Sequence, residues 1–92
     1  MILKPEHEAA MPILHDNGTP REHLIKHRSL LLDDLYLAYE HMRCMSPNCR
    51  DYEPGRLERA EELHKSRQLR LRNLIDEVEL EIDWLTYEGV SK

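Results

Sequence analysis

Two stretches of this sequence repeat apolar residues at alternating steps of four and three, and Ser46-Pro47-Asn48 stands as a break between them. In the first, Leu24, Arg28, Leu31, Leu35, Ala38, Met42 and Met45 mark a stripe, which Ile25, Leu32 and Tyr39 widen on one side. In the second, Leu57, Ala60, His64, Arg67, Leu71, Leu74, Val78, Ile82 and Leu85 do the same, with Ile75 beside them. A period near 3.6 gathers such residues on one side of an α-helix, whereas a strand alternates its faces every two residues. The pattern therefore predicts an all-α fold: an antiparallel hairpin of two long amphipathic helices.

The ends of each helix carry their own signals. Thr19-Pro20-Arg21-Glu22 reads as a start, because Thr19 can accept a bond from an orphan amide, Pro20 fits the first helical position, and Glu22 favours the positive end of the dipole. Helix one is expected over about 20–45, and proline at 47 ends it. A connection over about 46–54 is short enough to join antiparallel neighbours, with Asp51 or Glu53 as the cap of a second helix over about 55–88. Gly89 supplies a stop, leaving 90–92 as a tail and 19–89 as the hairpin domain. Residues 1–18 hold Pro5, Pro12 and an Asn17-Gly18 turn signal and no sustained period, so they form an arm, either extended or docked on the helices through Ile2, Leu3, Met11, Ile13 and Leu14.

Composition adds a constraint on stability. A chain of 92 residues with 5% aromatic content and no Phe builds its core mainly from Leu, and a chain this short buries a modest share of its surface, so help from a partner or a second copy is expected. No apolar run approaches the roughly 20 residues of a membrane span, and no signal peptide is legible, so a cytoplasmic protein without membrane contact is expected. The net charge of −5 disfavours nonspecific binding to nucleic acid. The basic stretch 56–72, with Arg56, Arg59, Lys65, Arg67, Arg70 and Arg72, is the one place such an accessory role could reside, and Glu58, Glu61 and Glu62 dilute it.

Both helices also carry apolar residues off their main stripes: Leu30 and Leu37 on the first, Leu69, Leu80, Trp84 and Tyr87 on the second. A single hairpin has one shared face, so these residues are expected to serve a protein interface. Arg28, His64 and Arg67 interrupt the stripes, either at their edges with the stems over Leu, or in a buried pair or interface, Arg28 being able to reach Glu77 or Glu81. Helix two is mainly basic from Arg56 to Arg72 and acidic from Asp76 to Glu88, which favours an antiparallel copy beside it. A homodimer forming a four-helix bundle is the expected assembly, with a heterologous protein as the other possible partner.

Candidate chemistry is sparse. His41, Cys44 and Cys49, completed by His64, could ligate zinc or another transition metal, but the spacing matches no usual structural-zinc motif. The two thiols could equally be reduced or bridged. Glu61-x-x-His64 has the form used by carboxylate-bridged metal sites in bundles, yet helix one offers no inward carboxylates to match. No phosphate loop, HExxH or nucleophile elbow is present, and no catalytic residues are assigned. The expected function is protein interaction or regulation, with a metal-binding or thiol-responsive role and a nucleic-acid accessory role as the alternatives.

Overall fold

The computed structural model describes residues 10–12 and 18–88, and helices account for nearly all of the second stretch. Helix α1 spans Arg21–Arg43 and helix α2 spans Pro54–Asp83; α2 runs on into a π-helical turn at Trp84–Glu88. They form an all-α hairpin. The molecule is a rod of 60 × 25 × 19 Å with a radius of gyration of 18.1 Å; a compact chain of this length would have about 12 Å. Its accessible surface is 7427 Å², against roughly 5,600 Å² for an ordinary folded monomer of 11.0 kDa. Most of the arm expected over 1–18, and the tail beyond Gly89, lie outside the described residues.

Pro20 takes the cap position of α1 in place of Thr19, and no side chain caps the helix. The Pro20 carbonyl instead accepts from the amides of His23 and Leu24 at 3.0 and 3.1 Å, and Glu22 faces the positive end of the dipole. At the other end the turns tighten: Cys44, Met45 and Ser46 donate three residues back, and the Ser46 hydroxyl adds a bond to the Arg43 carbonyl at 2.9 Å. His41 and Arg43 oppose the negative pole there. In the connection, Asn48 accepts the Arg50 amide at 3.1 Å and starts a short 3-10 turn at Cys49–Asp51. Glu53 occupies the cap of α2, ahead of Pro54 at the helix start, again without a side-chain bond.

The packed faces differ from the expected stripes by a rotation of each helix. On α1 the half-buried line runs through Ile25, Arg28, Leu32, Leu35, Tyr39 and Met42, while Leu31, Ala38 and Met45 stay exposed. On α2 it runs through His64, Gln68, Leu71, Ile75, Val78, Ile82 and Leu85, while Arg67 and Leu74 stay exposed. Both sets keep alternating steps of three and four almost throughout, the spacing of a two-helix seam. The residues assigned to widen the stripe therefore belong to its centre. Ile75 and Leu85 are fully buried and Val78 nearly so; each such side chain contributes about 1.5–3 kcal/mol.

Three cross-helix contacts set the register. Arg28 Nε donates to Glu81 Oε1 at 2.8 Å, the Tyr36 hydroxyl donates to Glu79 Oε2 at 3.0 Å, and Ser46 Oγ lies 3.2 Å from His64 Nε2. Interpolated between them, Ala38 lies level with Leu74.

Candidate functional site

The outward face of α1 is the surface most unlike ordinary solvated helix. Leu30, Leu31, Leu37 and Met45 are 54%, 46%, 58% and 62% exposed. At 100° per residue, Leu31 and Ala38 form one row beside the seam, continued by Met45 in the turn past the helix end, and His23, Leu30 and Leu37 form another on the side turned away from α2. A polar row of His27, Asp34 and His41 runs between these two apolar rows, and the charged Lys26, Asp33 and Glu40 border the outer one on its other side.

Helix α2 is more mixed. Leu69 and Tyr87, both expected at the interface, are 61% and 73% exposed. Leu80 and Trp84, expected there with them, are half-buried instead of open. Trp84 Nε1 donates to the Pro12 carbonyl at 3.3 Å, so a short piece of the N-terminal segment covers part of the indole. The π-helical turn that begins at Trp84 is not foreshadowed by periodicity; the Thr86 hydroxyl donates to the Ile82 carbonyl at 2.8 Å within it.

Of the three polar residues that break the stripes, each has a different fate. Arg28 is part-buried and pairs with Glu81, one of the acids within its expected reach. That guanidinium also offsets negative charge in the last turns of α2, which lack basic residues of their own. Arg67 is exposed, at the edge. His64 is buried, with 8% exposure, so for it the edge position is corrected. Its partner Ser46 spends its one hydroxyl proton on the Arg43 carbonyl, so the oxygen is left to accept and His64 Nε2 carries the hydrogen.

This bonding also dissolves the candidate metal set. His64 is held by Ser46, the Cys44 thiol lies 3.6 Å from the Glu40 carbonyl, and Cys44 and Cys49 are both free and exposed. Among the described residues no group of three or more His, Cys, Asp or Glu is placed to hold a metal ion. His41, Cys44, Cys49 and His64 therefore do not form a site, because α1 turns His41 outward while His64 faces the seam. A groove of about 440 Å³ beside Cys44, lined by Glu40, Arg43, Ser46 and Gln68, is polar and open to solvent.

The basic stretch of α2 is partly neutralised at both ends. Arg56 lies 3.5 Å from Glu53 and Arg72 lies 3.4 Å from Asp76. Sequence reasoning missed Tyr36, whose bond to Glu79 raises the phenol above its ordinary value, with partial desolvation adding in the same direction. The signal emerges only once the register is known.

The fold is that of a small helical hairpin with exposed apolar side chains on the outer faces of both helices. No family model, curated protein or solved structure matches the chain. No helix among the described residues is long and apolar enough to cross a membrane.

Proposed function

We propose that this chain is a cytoplasmic adaptor or regulatory protein that acts by binding a partner protein, with no chemistry of its own. The observation that carries this reading is the ridge of Leu30 and Leu37 on α1, one heptad apart, more than half exposed and turned away from α2. A ridge of that spacing suits a partner helix with a complementary apolar stripe, laid along α1 and flanked by Lys26, Asp33 and Glu40. Leu69 and Tyr87 extend the apolar character onto the outer side of α2. A homodimer of two hairpins is compatible with this role, because the Leu30–Leu37 ridge stays open when the flank of the hairpin is covered.

The test is proximity labelling in the native cell with wild type and with Leu30→Glu/Leu37→Glu. Both side chains are exposed, so the helical circular dichroism should be unchanged. A defined set of labelled proteins that disappears with the double variant is expected. Identical labelling by the two proteins would overturn the proposal.

A further inference from the structure

The flank of the hairpin beside the seam carries a pattern that is symmetric about its own centre. On α1 the row is Leu31 and Ala38, continued by Met45 in the turn just past the helix end, all exposed, with Ala38 in the middle; on α2 it is the exposed Arg67 and Leu74 and the half-buried Glu81, with Leu74 in the middle. Interpolation between the Arg28–Glu81, Tyr36–Glu79 and Ser46–His64 contacts puts Ala38 and Leu74 at about the same level of the rod. These two rows also share one side of the hairpin, since in an antiparallel pair the positions preceding the seam residues of both helices meet on the same flank. The opposite flank is polar and already bridged by Tyr36 and Glu79.

From this we infer that the flank is a self-complementary interface that takes a second copy of the chain, with a two-fold axis crossing the rod at Ala38 and Leu74. Rotation about that axis lays α1 antiparallel on its copy and α2 antiparallel on its copy. Leu31 then meets Met45 of the second copy, Arg67 meets Glu81, and the small Ala38 lets the backbones approach at the centre. The charges decide the orientation. A two-fold axis along the rod would instead set Leu31 against Glu81 and Met45 against Arg67, burying a charge against an apolar side chain twice over. Glu81 is already held by Arg28 through one oxygen, and a carboxylate accepts from two guanidinium groups without strain.

Area points the same way. The chain exposes roughly 1,800 Å² more than a compact monomer of its mass would, which leaves ample surface for the about 800 Å² that each partner gives to a stable two-fold interface. This interface uses different residues from the Leu30–Leu37 ridge, so the two proposals stand or fall separately.

Sedimentation equilibrium and cysteine cross-linking test it on the full chain. In a Cys44→Ser/Cys49→Ser background, Ala38→Cys should give a disulfide-linked dimer on mild oxidation, and Asp33→Cys, on another side of α1, should not. Leu74→Arg sets two cations at the axis and should weaken the dimer more than about thirtyfold, the scale of a central hot spot. Leu74 is 42% exposed, so the helical signal should survive; if Leu74→Arg does not fold, the cross-linking pair decides. A monomer at high protein concentration, or a dimer that cross-links in the Asp33→Cys variant and not in the Ala38→Cys variant, would overturn the inference.

Discussion

The two ends of the hairpin are held together by different chemistry. Toward the end where α1 begins and α2 finishes, Leu85 is fully buried, Arg28 reaches Glu81, and Trp84 touches Pro12, while Ile75 and Val78 continue this apolar seam to the middle of the rod. At the loop end the one buried residue of α2 is His64, and its neighbours Leu57 and Ala60 are only half-buried. Branched apolar side chains gain by leaving water in any orientation, whereas a buried histidine is tolerated only where its ring nitrogen finds a partner. The closed end therefore supplies affinity between the helices, and the loop end supplies a specific geometry.

The most severe way to break this contrast is to empty the closed end. Leu85→Ala removes a fully buried side chain and should cost about 2–5 kcal/mol in urea unfolding followed by circular dichroism. Leu57→Ala, half-buried at the loop end, should cost less than half as much; equal losses would mean that the ends do not differ. Next in size, Ser46→Ala leaves the buried His64 ring hydrogen without its partner, while the Arg43 carbonyl keeps the backbone amide of residue 46, and should cost about 1–3 kcal/mol in the same assay. A neutral Ser46→Ala would show that water replaces the hydroxyl and that the loop end is wetter than its burial implies.

How far this is legible from sequence depends on what each residue is asked to reveal. The two helices and their break at Pro47 follow from local steric and periodic rules that act within a few residues. The rotation of each helix does not, because Leu24, Leu31 and Ala38 form as good a stripe as Ile25, Leu32 and Tyr39 until a partner helix chooses between them. That choice moves Leu31, Leu74 and Met45 from the expected core to the exposed flank, and it moves His64 from the edge into the core. Arg28 can be set near its acid from sequence because a hairpin fixes which ends meet. Tyr36 and Ser46 cannot, since a hydroxyl announces nothing until its acceptor is located. The metal set fails for the converse reason: ligand types near in sequence are turned to different sides by the helix that carries them.

Electrostatic contributions at the closed end should be smaller than its apolar ones. Arg28→Met keeps most of the stem over the seam and removes the charge, and because both partners retain some solvent contact the loss should be about 0.5–1 kcal/mol. Salt should shrink the difference between the two proteins. A loss that persists unchanged at high salt would assign the effect to packing of the arginine stem and would sharpen the division between apolar and ionic holding.

Tyr36 offers the gentlest probe, because it lies between the two ends and is exposed. Its neutral phenol donates to Glu79, so ionisation loses that bond and places two negative groups together; the folded state therefore holds the proton more tightly than the unfolded chain. The sign follows. Stabilisation from this bond is fully present below the ordinary phenol value of 10.0 and is lost as pH rises through the higher value in the folded protein. Ultraviolet titration should show a late phenol component that Tyr36→Phe lacks. If that late component persists in Tyr36→Phe, the cross-helix bond does not form in solution, and the register that sets Ala38 beside Leu74 loses its middle contact.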